Sequence, residues 1–462
     1  MPDQIAEASP TTALDLREAL GGEVAAAPGV HRIVVVGGGA AGLGLVTKLG
    51  DTLAKHGRAE VTLIERARTH LWKPLLHSVA AGSMDRSEHE LNYLAQAHWH
   101  HFVYRLGEMV KLDRDKREVH LAANHDEDGR QITAERRFGY DTLIMAVGSV
   151  TNDFGTPGAA EHAVPLETPD QAARFNRRLV NACFRANSQP EGARPGQLHV
   201  AIIGAGATGT ELAAELHRTV RQVVGFGFTQ IRPETDIRIV LIEAAERILP
   251  ALPERISATT LKLLNDMGVE VRAASRVSEV TAEGVRLSDG SFIESELVVW
   301  AAGVKAPEFL RDLDGLESNR INQLVVHDTL QTTRDENVFA IGDCAAVPMP
   351  GGGTVPPRAQ AAHQEATHMV RQIRLRTSGK PLQPYRYRDF GSLVSLGHYS
   401  TVGNLMGFLR GKNLFIEGWF ARMMYRSLYK MHQQSLHGTM HVAADTVGRV
   451  FGRRGTPVVK LH

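Results

Sequence analysis

At 462 residues, with 43% apolar and 22% charged residues, the chain is too long for a single hydrophobic core and has an ordinary globular composition. A formal net charge of +1 gives no overall basic excess for a nucleic-acid partner, and two cysteines, Cys183 and Cys344, outside any CxxC pairing, suit a reducing compartment. The first thirty residues carry Asp3, Glu7, Asp15 and Glu18 instead of a basic start and an apolar core, so 1–30 reads as a disordered tail; no run nears the roughly 18 apolar residues of a spanning helix.

The first ordered signal is the β-branched run His31 to Val36, which breaks into glycines and then into a helical Ala/Leu pattern from Ala40 to Leu49. A second strand, Val61 to Ile64, ends in Glu65, and Tyr140 to Gly148 reads as a buried strand closing on glycine. The same events recur: strand His199 to Ile203, glycines, a helix from Thr208 to about Arg218, an excursion around Gly225 to Pro233, strand Ile239 to Ile242 ending in Glu243, and Glu296 to Gly303 closing the copy. A further strand, Asn337 to Ile341, terminates in Gly342-Asp343 and belongs back with the first copy. The expected fold is therefore α/β with two Rossmann-like dinucleotide-binding domains, the second inserted in the first. Its boundaries are 31–153 and 325–389 for the first domain, and 154–324 for the inserted one.

Beyond about Asp389 the strands are expected to give way to Gly-punctuated segments and then a helix from Ile416 to about His437, so 390–462 reads as a third region. From Thr401 on it carries Arg410, Lys412, Arg422, Arg426, Lys430, Arg449, Arg453, Arg454 and Lys460 against Glu417 and Asp445. An aromatic, Met-rich helix reads as core or dimer interface by itself; flanked by these bases it fits an interfacial helix on anionic lipid.

Gly37-x-Gly39-x-x-Gly42 follows a strand and opens a helix, the context in which this motif marks a dinucleotide site. The first glycine permits the tight turn, the second lets a pyrophosphate approach the backbone, and the third lets helix and strand pack closely. Glu65 is placed to accept hydrogen bonds from ribose hydroxyls, while N–H groups and the helix dipole hold the phosphates. Gly204-x-Gly206-x-x-Gly209 and Glu243 repeat the arrangement, and a carboxylate there repels a 2′-phosphate, favouring NADH over NADPH despite Arg247 nearby. Either loop alone reads also as packing; both in one duplicated chain point to one flavin and one nicotinamide nucleotide. His98-Trp99-His100-His101 lacks partner carboxylates or thiolates, so no metal is expected. Without a cysteine pair, the disulfide-reductase and sulfide-oxidising branches of this fold are disfavoured.

With these residues in view, 31–462 resembles the type II NADH:quinone oxidoreductases, the single-chain, non-pumping respiratory dehydrogenases, most closely the enterobacterial form. The resemblance rests on His70-Leu-Trp-Lys-Pro-Leu-Leu-His77, Trp300-Ala-Ala-Gly-Val304, Ala340-Ile-Gly-Asp-Cys344, Pro357-Arg-Ala-Gln-Ala-Ala-His-Gln364, Gly391 to Leu396, Glu417 to His437 and Val459-Lys-Leu-His462. It implies that the first copy binds FAD and the inserted copy NADH. The residues expected around FAD are Gly37, Gly39, Ala41, Gly42, Glu65, Arg66, Lys73, Val147, Gly148, Gly342, Asp343, Ala359 and Gln360. Around NADH they are Gly204, Gly206, Thr208, Gly209, Glu211, Glu243, Ala302 and Gly303. Asp343 would hydrogen-bond the ribityl region, and quinone would approach near Ala359-Gln360, with Gln364 one turn on.

Glu211, Gln360, Gln364 and Lys73 form the expected catalytic set. The residue matching Glu211 has an inferred proton-handling role in the family, and physically a carboxylate so near a pyrophosphate site should point elsewhere; it also reads as a first-turn acid satisfying the helix dipole. Lys73 reads either as a cation stabilising reduced flavin or as a solvated lysine, and Gln360 either as a site residue or as a backbone cap. The implied reaction takes hydride from NADH to FAD and two electrons on to a membrane quinone, ubiquinone or menaquinone. The implied setting is a homodimer held peripherally on the cytoplasmic face of the membrane. Two other readings stay open: a soluble NADH-dependent reductase of a small redox protein, and an NADH-sensing flavoprotein with incidental turnover.

Overall fold

The computed structural model describes residues 29–396, 401–405, 414–417, 434 and 436. The chain opens with β1 (His31–Val36), α1 (Ala40–Thr52) and β2 (Ala59–Glu65), followed by the short α2 (Leu76–Ala80), β3 (Val103–Leu106) and β4 (Thr142–Met145). Next come β5 (Ala163–Pro165), α3 (Pro169–Ser188), β6 (His199–Ile203), α4 (Ala207–Gly225), β7 (Arg238–Ile242), α5 (Glu254–Asp266), β8 (Glu270–Arg272) and β9 (Leu297–Trp300). The chain continues with β10 (Gln331–Thr332), β11 (Asp335–Ala340), α6 (Ala359–Thr377), β12 (Gly391–Ser395), β13 (Thr401–Leu405) and β14 (Leu414–Glu417). Shorter strands and single-turn helices fill the connections.

β1 and β6 are short apolar runs whose last four residues are all buried, as parallel strands covered on both faces require. In the first sheet the order is β10-β11-β4-β1-β2-β3, parallel except where β10 meets β11. In the second it is β5-β9-β6-β7-β8, parallel throughout. The order β4-β1-β2-β3 thus returns as β9-β6-β7-β8, and the duplication read from the sequence is a duplication of topology. β11 pairs with β4 through Leu143↔Val338 to Met145↔Ala340, which returns the chain to the first sheet.

By contacts the chain forms two compact units. One contains Leu91–Ser149, Ala306–Tyr387 and the chain up to His70; the other contains Leu71–Glu90, Val150–Lys305 and the chain from Arg388. Residues Leu71–Glu90, which the sequence reading grouped with 31–153, belong to the second unit because Leu71, Leu76, Val79, Ala80 and Ala81 bury into its core. Val394 and Leu396 complete the same core. α3 begins with a reciprocal cap, Thr168 accepting from Gln171 N while the Gln171 side chain accepts from Thr168 N, and its buried stripe of Phe175, Leu179, Cys183 and Ala186 faces that core.

Three expectations change. α4 runs to Gly225, beyond Arg218, because Val220, Val223 and Val224 continue its buried face. Strands do not stop at Asp389: β12, β13 and β14 form an antiparallel sheet, Gly391↔Leu405 and Leu405↔Leu414 marking its registers, since these segments are β-branched and apolar between their glycines. Ile416 lies in β14, so no helix begins there. The remainder of the expected helix to His437 except Gln434 and Leu436, the basic residues from Arg410 on, and the tail before residue 29 lie outside the described residues.

Candidate active site

Each unit holds a glycine loop at the carboxyl end of its central strand. Gly37 has φ +103° and Gly204 φ +101°, conformations that L side chains rarely adopt. A Cβ at Gly37 would strike the Ala146 carbonyl and one at Gly204 would lie 2.6 Å from Ala302 Cα, so the loops press against the strand ends Ala146-Val147 and Ala301-Ala302. At Gly42 and Gly209 a Cβ would collide with the carbonyl of the first glycine of the same loop. Gly39 and Gly206 differ: a Cβ there meets nothing within 4 Å, and both residues open helices that no side chain caps. Two positions thus need glycine for the protein's own packing, while the middle one faces open space, the geometry a pyrophosphate needs for backbone approach.

The carboxylates repeat as faithfully as the glycines. Glu65 accepts from Gly38 N at 2.6 Å and Ala67 N at 3.0 Å; Glu243 accepts from Ala205 N at 2.8 Å and Ala245 N at 2.9 Å. Each acid ties its glycine loop to the end of the neighbouring strand and keeps lone pairs for further donors. Arg247 turns its guanidinium to the Leu249 and Pro250 carbonyls, with Nη2 2.8 Å from the latter. Arg66 is solvent-exposed, 3.9 Å from Glu108. Thr208 is exposed in the first turn of α4.

In the first unit, the Gly342-Asp343 turn sits where a Cβ on Gly342 would meet Ala41 Cβ at 3.6 Å and Ala362 Cβ at 3.8 Å. That brings together α1, the turn and the start of α6, and with them Ala41, Gly342, Asp343, Ala359 and Gln360; Val147 and Gly148 follow β4 beside Gly37. Asp343 accepts from the Ser149 hydroxyl at 2.7 Å, and its carbonyl accepts from Gln323 Nε2 at 2.9 Å. Glu365, 1% exposed on α6, accepts from Gly342 N at 2.5 Å. Burial pushes its carboxyl up to about 8, the Asp343 charge pushing the same way against the amide's pull. Gln360 and Gln364 are half-buried on α6. Tyr93 donates to Gly38 O at 2.7 Å, and His70 nearby is held neutral by burial, its pKa lowered to about 4.

In the second unit Glu211 lies in the second turn of α4, 6% exposed, and not in the first turn, so it does not cap the helix dipole. It accepts from Ser395 N at 2.9 Å and lies 3.4 Å from His77 Nδ1; the His77 Nε2 lies 3.4 Å from Glu215. Lys73 also belongs to this unit, exposed at the start of a single 3-10 turn, whereas the other residues expected around FAD belong to the first.

The sequence profile of the pyridine nucleotide-disulphide oxidoreductases matches residues 31–366. A type II NADH:quinone oxidoreductase from Haemophilus influenzae is 40% identical over 445 residues, covering 94% of this chain and 100% of that protein. The chain belongs to the type II NADH:quinone oxidoreductases. A second relative, the type II NADH:quinone oxidoreductase Ndh of Mycobacterium tuberculosis, is 29% identical over 82% of this chain and 80% of its own length. The solved structure of Plasmodium falciparum NDH2 in complex with NADH shares the fold, with TM-score 0.77 at 19% identity over 93% of this chain and 100% of that one.

For a type II NADH:quinone oxidoreductase the cysteines are informative. Cys183 and Cys344 are both buried free thiols, and burial raises them to about 11 and about 12, so neither offers a thiolate for disulfide chemistry. Sequence reasoning missed Ser149, Tyr93, Glu365, His77 and Glu215. Glu215 stands four residues from Glu211 on one helical face, and His77 closes a run that carries the resemblance, but neither signal assigns a role.

Proposed function

We propose that this type II NADH:quinone oxidoreductase holds FAD on the loop Gly37, Gly39 and Gly42 with Glu65 and Asp343, and NADH on the loop Gly204, Gly206 and Gly209 with Glu243. The observation that carries the reading is the twice-built cradle, in which first and third glycines are locked by contacts while the middle one opens outward and an acid braces the loop. Held on this cradle, FAD would supply the hydride acceptor for NADH and the two-electron donor for quinone. Glu243, beside the adenosine ribose, repels a 2′-phosphate and sets the preference for NADH. Gln360 and Gln364 on α6 line the approach of quinone, and Glu211 holds a proton for it. Lys73 supplies a cation that stabilises reduced flavin.

No helix among the described residues is long and apolar enough to cross a membrane. We place the protein peripherally on the cytoplasmic face, its basic region after Thr401 on anionic lipid, as a homodimer. The test is NADH oxidation by the purified protein with ubiquinone and menaquinone analogues, with and without anionic liposomes. Turnover that saturates with quinone and rises with liposomes is expected; oxidation indifferent to quinone would return the reading to a soluble reductase.

A further inference from the structure

The second unit buries a line of ionisable groups that binding of nucleotide does not require. His77, on α2, is 5% exposed and stands between two acids of α4, with Nδ1 3.4 Å from Glu211 and Nε2 3.4 Å from Glu215. The two acids are one helical turn apart, so a single imidazole spans them. Glu215 is held in turn by the Ser78 hydroxyl at 2.9 Å and by the Ser83 hydroxyl, with Arg218 at 3.8 Å. On the far side Glu211 is fixed by the Ser395 amide. From α3, which also packs on α2, the contact is neutral: Asn176 donates to the Ala80 carbonyl. Glu215 is the least enclosed of the three, with side-chain exposure of 12% against 6–7% at His77 and Glu211.

A buried imidazole whose two nitrogens face two carboxylates is costly as a stability device, because each charge taken from water must be matched by its neighbours. It is well suited to moving a proton, since one nitrogen can take it as the other releases it. His77 Nδ1 stands 3.4 Å from Glu211 with no hydrogen bond in place, so transfer on that side requires the ring and the acid to close on each other.

We propose that Glu211, His77 and Glu215 form a proton relay that recharges Glu211 from solvent, with Glu215 as the entry and His77 as the carrier. The proposal rests on the proton-holding role of Glu211. Reduction of a quinone to a quinol takes two electrons and two protons; NADH supplies both electrons and one proton as hydride, leaving one proton per turnover to come from water. Glu211 gives that proton to an oxygen of the reduced quinone, completing the quinol. His77, protonated at both nitrogens by Glu215, passes the Nδ1 proton to Glu211, and Glu215 is refilled from solvent. His77 and Glu215 act through Glu211 and are positioning residues in this sense.

The test compares the holoenzyme with His77→Gln, Glu215→Gln and Glu211→Gln. Flavin reduction by NADH, followed in a rapid half-reaction without quinone, should be unchanged in the first two. Quinone turnover should fall roughly tenfold to a hundredfold in both, with a larger solvent deuterium effect and a shifted pH profile. The readout independent of turnover is nitrogen NMR of labelled histidine in the wild-type protein, where His77 should exchange protons between its two nitrogens. Wild-type turnover and pH profile in His77→Gln would sink the relay, as would a His77 ring frozen in one tautomer across the working pH range. If Glu211→Gln also turns over normally, the underlying role of Glu211 fails with it; if only Glu211→Gln is impaired, Glu211 acts alone and the relay is wrong.

Discussion

At the scale of single residues, the buried acids decide more than the exposed ones. Glu365 is held by the Gly342 amide, yet burial dominates and lifts its carboxyl from the ordinary 4.5 to about 8. Below 4.5 the folded and unfolded chains both carry the proton. Between 4.5 and about 8 the unfolded chain has released it while the folded protein retains it, so the group's contribution to stability falls as pH rises and levels off above about 8. The wild-type protein should lose on the order of a few kcal/mol relative to Glu365→Gln across that window, read as converging and then crossing denaturation midpoints. Parallel pH curves for the two proteins would show that Glu365 is ionised throughout. Neither Glu365 nor His77 stood out in the sequence, because a carboxylate or imidazole gains its character from what surrounds it, and the Glu211 contact to Ser395 joins positions 184 residues apart. The glycines were legible for the opposite reason: their constraint is local, a positive φ and a carbonyl one turn away.

At the scale of elements, the strand, loop and helix of each copy work as one piece. Gly42 and Gly209 each sit where a Cβ would collide with the carbonyl of their own loop, so a larger side chain drives α1 from β1, or α4 from β6. Gly42→Val should be purified without bound flavin. Gly209→Val should keep its flavin and lose at least about tenfold in apparent affinity for NADH, a pocket defect of more than roughly 1.4 kcal/mol. Absorbance of the bound flavin and its reduction by NADH read both outcomes; equal loss of flavin in the two variants would contradict the division of labour between the copies. The order of strands was readable because apolar runs, glycines and acidic strand ends recur in register. The length of α4 and the strands after Asp389 were not, since the first depends on a core that covers Val223 and the second on cross-strand partners.

At the scale of the whole molecule, the point of truncation separates two roles of the C-terminal region. Val394 and Leu396 are fully buried in the second unit, and Ser395 between them holds Glu211, whereas the basic residues follow later. A chain ending at Leu396 should lose its binding to anionic liposomes and melt somewhat below the full chain, because β12 loses its partner β13. A chain ending at Asp389 forfeits two buried aliphatic side chains, worth several kcal/mol together, and should melt well below it. Flotation with liposomes beside thermal melts checks this pair; a chain ending at Leu396 that still floats would move the lipid contact elsewhere. The burial of Val394 and Leu396 in a core begun at Leu71 has a consequence during synthesis. The second unit is closed by residues that leave the ribosome after every strand of its parallel sheet, so the nascent chain carries the seats of Val394 and Leu396 uncovered until they emerge. Such a chain has reason to depend on chaperones while it grows, and to tolerate slow codons poorly before Leu396 but readily after it.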